Sequence, residues 1–202
     1  EAARRGLSQD LLDLVAQFVP NSPPLCFSHL VGACPDAALI MACKSGRVAG
    51  VVAALEAGAN LHVRDDAALR FSSSEGHTAV VSVLLEAGAN AHALDNYALR
   101  RASGAGVVAL LLKAGGYTLS DLNSALLWMS DGGRAGGDDH AAAMSHLLEA
   151  GADAGAQDNY ALQVASMYGN AAVVSVLLDK GADIHVRGDY ALRMASSCGH
   201  AA

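Results

Sequence analysis

Aromatic side chains make up only 4% of this 202-residue chain, against 52% apolar residues in all, so any core must be built from Ala, Val and Leu rather than from rings. Small residues let helices approach closely, and Ala and Leu are among the strongest helix formers; the composition predicts an all-α protein. Basic residues are also scarce. With 13 Lys and Arg against 20 Asp and Glu, the net charge is −7, which opposes a general nucleic-acid role because phosphate affinity comes from clustered basic side chains. An anionic membrane surface is disfavoured likewise, and no run approaches the roughly eighteen apolar residues that a spanning helix requires. Residues 1–30 hold no basic segment leading into an uninterrupted apolar core. The four cysteines (Cys26, Cys34, Cys43, Cys198) form no Cys-x-x-Cys pair, and no Asn-x-Ser/Thr acceptor with a permitted middle residue occurs. Free thiols in a reducing, intracellular compartment, the cytoplasm, are the expectation.

Against these absences stands one strong regularity. The stretch Asn159 to Gly181 reads Asn-Tyr-Ala-Leu, a small-residue helix, Gly169, an apolar helix with Val173, Val174, Leu177 and Leu178, then Gly-Ala-Asp, and everything after Pro35 repeats it. The anchor leucines fall at Leu39, Leu69, Leu99, Leu126, Leu162 and Leu192, with spacings of 30, 30, 27, 36 and 30. A fixed period of this size signals a stacked repeat array. Seven residues after each anchor stands Gly46, Gly76, Gly106, Gly133, Gly169 or Gly199, while Gly58, Gly88, Gly115, Gly151 and Gly181 close the second helices.

The pattern Leu-x-x-Ala/Ser, the following Gly, Val-Val, Leu-Leu and Gly-Ala-Asp/Asn resembles the ankyrin repeat over residues 36–202. The resemblance implies antiparallel helix pairs, five complete and the first helix of a sixth, joined by outward hairpin loops, in a protein-protein interaction scaffold. Three departures shape the expectations. The usual period of 30 is three short of the family's 33, so the hairpins should be short. The family's Thr-Pro-Leu-His opening is replaced by Tyr-Ala-Leu-Arg or a relative, and the position three before each anchor is Asp36, Asp66, Asn96, Asn123, Asn159 or Asp189, which by residue type predicts a helix N-cap. Tyr97 with Arg100, and Tyr190 with Arg193, then sit three apart on a helix turn and should pair.

The spacing breaks twice. Gly106 runs directly into Val107-Val108, which predicts a turn or second helix three residues short. Six extra residues lie between Gly133 and Leu147-Leu148, around Arg134 to His140, and insertions in such arrays become loops on one face. The last unit is read as stopping after its first helix, so the chain is expected to be part of a longer array. Apolar surface around Val173, Val176 and Leu177 should then lie partly open, half covered by Leu192, Met194 and Ala195.

Residues 1–35 stand apart. Leu7, Leu11, Leu12, Leu14, Val15 and Phe18 recur at helical spacing up to Pro20, which suits an end cap on the first repeat. The run from Leu7 to Pro20 with Leu25 to Val31 also resembles an F-box, although Ser8 replaces the family's Pro. That resemblance implies an alternative, a ubiquitin-ligase substrate adaptor docking a Skp1-like subunit through residues 7–34.

Chemistry finds little support. His62, His92 and His185 share one repeat position, but stacked equivalents lie roughly 8–10 Å apart and zinc ligands must reach one ion at about 2 Å, so loop hydrogen bonds are expected. His77 and His200 follow turn glycines, like the family's structural Gly-His. Gly132–Gly137 has Walker-like spacing without the Lys-Ser/Thr and is followed by Asp138 and Asp139, which would repel a phosphate. No nucleophile, base and acid recur at an informative spacing, and no cofactor or metal is expected. The resemblance instead places a partner surface five and six residues after each anchor: Lys44, Ser45, Ser74, Glu75, Gly104, Ala105, Asp131, Gly132, Met167, Tyr168, Ser197 and Cys198. These positions vary while their neighbours repeat, and Met167 and Tyr168 are the strongest anchors among them.

Overall fold

A computed structural model describes residues 34–131 and 138–200. The F-box-like stretch at residues 7–34 thus lies outside the described residues except for Cys34, as does Gly132–Gly137. The described residues form eleven helices and no strand, and none of those helices is long and apolar enough to cross a membrane. The chain divides into two compact units, the first up to Ala98 and the second from Leu99.

In the first unit, α1 (Pro35–Lys44), α2 (Val48–Glu56), α3 (Val63–Ser74) and α4 (Thr78–Glu86) make two antiparallel pairs. Pro35 opens α1 at a position whose N–H would have no helical partner anyway. First helices stack on first helices and second on second: α1 lies against α3, and α2 against α4. The core is what the composition demanded. Leu39, Leu69, Val51, Val80, Val81 and Leu84 are fully buried, with Ala38, Ala42 and Ala68 between them where helices come closest. At roughly 25 cal/mol per Å² of apolar area removed from water, such aliphatic faces stabilise the stack without rings.

α5 (Ala93–Arg100) reaches the boundary residues, and α6 (Ala105–Ala114), α7 (Leu119–Asp131), α8 (Asp138–Glu149), α9 (Ala156–Tyr168), α10 (Ala171–Asp179) and α11 (Val186–Ser197) follow. Within the second unit the same rule holds: α7, α9 and α11 stack in sequence, as do α6, α8 and α10. Among the described residues, each unit is therefore all-α, a stack of antiparallel helix pairs, as the repeat predicted.

The expected fingers are reduced to a single backward turn. Arg64-Asp65-Asp66, Leu94-Asp95-Asn96, Gln157-Asp158-Asn159 and Arg187-Gly188-Asp189 each run three residues at φ between +51° and +64°. A left-handed residue other than glycine costs about 1–2 kcal/mol, so each turn must be held from outside. Asp66, Asn96 and Asn159 are therefore not the N-caps that their type suggested: the cap needs an extended backbone, and these residues are left-handed. The side chains of Asp66 and Asn159 work between repeats. Asn90 N–H donates to Asp66 at 2.8 Å and Asp183 N–H to Asn159 at 2.9 Å. Asn60 N–H to Asp36 (2.6 Å) and Asp153 N–H to Asn123 (2.7 Å) make the same bond from positions without the backward turn.

The residue after the anchor holds the turn from the other side. Arg70 donates to the carbonyls of Asp65 (2.9 Å) and Arg64 (2.7 Å), and Gln163 to that of Asp158 (2.6 Å). The histidines complete the clamp, with Nδ1 of His62, His92 and His185 bonded to Asp66, Asn96 and Asp189. They serve loops, as expected, and no three potential metal ligands cluster among the described residues.

Three further expectations are corrected. The shortened element is the first helix of its pair: α5 ends one residue past Leu99, where α3 continues to Ser74 and α9 to Tyr168, while α6 is a full ten residues. The turn glycine is accordingly Gly104 (φ +92°), and Gly106 lies inside α6. Asp138, Asp139 and His140 form no loop but the first turn of α8. At the far end, Val176 is half-buried as expected, but Val173 and Leu177 are 2% and 0% exposed, and the large apolar residues most open there are Leu178 at 37% and Leu192 at 42%. They line a groove of about 400 Å³ with Val174, Ile184 and Ala195.

Candidate interaction face

A histidine staple closes the ends of α1 and α9. His77 Nε2 donates to the Lys44 carbonyl at 3.1 Å, and its ring lies so close to Gly46 that a Cβ there would sit 2.7 Å from the ring. Gly46 is also left-handed at φ +67°. Gly169 (φ +69°) repeats the arrangement, with His200 bonded to the Met167 carbonyl at 3.1 Å and a Cβ 2.5 Å from the ring. Glycine is thus required twice over, by backbone sign and by ring contact. In the third repeat Asp139 replaces the histidine, accepting from Ala105 N–H at 3.2 Å at the start of α6, where a carboxylate also complements the helix dipole.

The staples at α1 and α9 lie beside Lys44 and Ser45 and beside Met167 and Tyr168, four of the sequence-predicted partner residues. In the first unit, Lys44 and Ser45 close α1, and Ser74 and Glu75 close α3; Lys44, Ser45 and Glu75 are exposed, Ser74 half-buried. Ser45 Oγ donates to the Met41 carbonyl (2.8 Å) and Ser74 Oγ to that of Phe71 (3.0 Å), so both hydroxyls are folded back on their own helices. Lys44 Nζ stands 4.2 Å over the Phe71 ring. In the second unit, Met167 and Tyr168 end α9 beside Ser197 at the end of α11, with Ser197 Oγ on the Met194 carbonyl at 2.9 Å. Tyr168 and Cys198 are exposed and Met167 half-buried. Asp131 ends α7; Gly132 lies outside the described residues, and Gly104 and Ala105 belong to the turn and start of α6 rather than to a first-helix end.

The aromatic-cation pairing follows the repeat only in part. Arg193 lies over Tyr190 in its own helix at 5.6 Å, as expected, but Arg70 reaches across to Tyr97 of the next repeat at 5.3 Å. Sequence reading also missed the position two after each anchor. It holds Met41, Phe71, Arg101, Trp128, Val164 and Met194, with Met41 58% and Trp128 48% exposed. The available signal was its apolar character in five of six repeats, three residues before the helix-end positions and therefore on the same helical face.

Few ionisable groups are perturbed. Burial pushes the Cys43 thiol up to about 12, which leaves it protonated and unreactive, and Cys34, Cys43 and Cys198 are all free. Burial pushes Tyr117 up to about 12, with Asp121 adding to the shift. His140 is lowered by burial against the opposing charge of Asp139, and the hydrogen bond to Asp189 raises His185.

The fold defines an all-α protein built of stacked helix pairs, the arrangement of an ankyrin-type solenoid. Residues 157–189 match the family model of the ankyrin repeat, from one left-handed turn through α9 and α10 to the next. No curated protein matches the chain.

Proposed function

We propose that the chain is a non-catalytic interaction scaffold that binds a protein partner at the ends of its first helices, through Lys44, Ser45, Ser74 and Glu75 in the first unit and Asp131, Met167, Tyr168 and Ser197 in the second. The observation that carries this reading is the contrast within one repeat. Positions that pack are nearly invariant and buried, whereas the helix-end positions vary in chemistry, with Lys44, Ser45, Glu75, Tyr168 and Ser197 exposed. The hydroxyls of Ser45, Ser74 and Ser197 folded back onto their helices, and the Gly-His staples at the ends of α1 and α9, hold these ends in place before any partner arrives, which reduces the ordering cost of association. Tyr168 and Met167 supply the apolar contact that such surfaces concentrate. The free cysteines suit an intracellular setting.

The test compares capture of cellular proteins by the chain and by a variant carrying Lys44→Ala, Met167→Ala and Tyr168→Ala. Loss of a specific captured protein at an unchanged melting temperature supports the reading, and undiminished capture contradicts it. The F-box-type alternative concerns residues 7–34 alone; recovery of a Skp1-like protein only when those residues are present would favour it.

A further inference from the structure

The three residues missing after Leu99 alter the interaction face at one place. In the first unit, the side chain five after an anchor covers the side chain two after the next anchor: Lys44 lies over Phe71, which is half-buried. The residue five after Leu99 is Gly104, which has no side chain and turns the chain at φ +92°. The position that would cover Trp128 as Lys44 covers Phe71 therefore offers no side chain, and the indole is 48% exposed. In place of one lysine, two consecutive guanidinium groups approach the indole, Arg100 at 5.9 Å and Arg101 at 5.8 Å from its centre. Arg101 is exposed and is the single charged residue among the six that stand two after an anchor. The nearby carboxylate of Asp139 is engaged by the Ala105 amide.

We propose that Trp128 and Arg101, backed by Arg100 in the notch left by the shortened helix, form a docking point for an acidic peptide segment of a partner protein. A guanidinium stacked on an aromatic face keeps its N–H edge directed outward, where it takes a carboxylate in two parallel hydrogen bonds. The exposed indole takes the apolar side chain next to that carboxylate. Trp and Arg are the residue types most often found to dominate interface energetics, and a cationic pair on a chain of net charge −7 selects acidic segments locally without creating a general polyanion surface. This assignment deepens the scaffold reading above and rests on it.

Trp128 is the chain's one tryptophan, so its emission reports directly. A Trp-free peptide of Glu and Leu is titrated into the full chain, beside the same peptide with Lys for Glu and a single-stranded uridine oligonucleotide. The acidic peptide should shift Trp128 emission saturably, more weakly as salt rises, and the Lys peptide should not. By calorimetry, Arg101→Ala should weaken binding about tenfold, the loss expected for a charge-assisted pair, Arg101→Lys should recover part of it, and Trp128→Ala should weaken it about thirtyfold. Equal binding of the two peptides, unchanged affinity in Arg101→Ala, or preferential binding of the oligonucleotide would each overturn the proposal. Arg101 is exposed, so its variants report binding rather than folding. Retained partner capture through Met167 and Tyr168 alongside a silent Trp128 would sink the notch while leaving the scaffold reading intact.

Discussion

Replacing Gly46 by Ala separates the two demands placed on a turn glycine. The backbone at φ +67° costs alanine about 1–2 kcal/mol. The new Cβ would also stand 2.7 Å from the His77 ring, and displacing that ring forfeits its bond to the Lys44 carbonyl, worth about 1 kcal/mol. The sum is about 2–3 kcal/mol. Gly58 supplies the control, because it is left-handed at φ +88° yet nothing lies within 4 Å of its would-be Cβ; Gly58→Ala should cost the backbone part alone, about 1–2 kcal/mol. Denaturant unfolding of Gly46→Ala, Gly58→Ala, His77→Ala and the Gly46→Ala/His77→Ala pair closes a double-mutant cycle. The pair should be milder than the sum of its singles by about 1 kcal/mol, because a missing ring cannot be displaced. Equal costs at Gly46 and Gly58, with no coupling to His77, would refute the staple.

Asp66→Ala should lose about 1–3 kcal/mol by stripping the acceptor from Asn90 N–H and His62, while Asp66→Asn, the residue found at the equivalent 96 and 159, should be nearly neutral in chemical denaturation. Ser73 is fully buried and its hydroxyl has no partner among the described residues, so Ser73→Ala should raise stability by about 1 kcal/mol in a thermal melt. The two perturbed histidines should act oppositely with pH. His185, raised by Asp189, favours the folded state fully below its unfolded value of about 6.5, and that contribution disappears as pH rises through its folded value. His140, lowered by burial, contributes above about 6.5 and loses that contribution as pH falls through its folded value. Proton-resonance titration should place the two midpoints on opposite sides of 6.5, and Asp189→Ala should bring His185 back.

The helix pairs were readable because a leucine anchor and its glycines recur in register, and burial of that leucine leaves little choice of partner face. The left-handed turns were not, because Asp and Asn favour an N-cap and a left-handed residue for related reasons, and residue type alone does not choose between them. What decides at Asp66 is a backbone N–H twenty-four residues away, invisible to local spacing. The shortened helix was misplaced for a similar reason. Gly106 falls at the repeat's glycine position by coincidence, whereas Gly104, two residues earlier, makes the turn. The helix-end residues were located by repeat position, but the notch at Trp128 depends on what the deletion removes from above it, and only the stacked repeat shows that.

The scaffold claim is tested most directly by where a partner touches. A photoreactive amino acid placed in turn at Ser45, Ser74, Met167 and Ser197 on the first-helix ends, and at Glu56, Glu86 and Asp179 on the exposed ends of second helices, maps contact in cells. The account predicts a common covalent adduct from first-helix positions and none from second-helix positions. Adducts confined to Glu56, Glu86 or Asp179, with the first-helix ends silent, would contradict it.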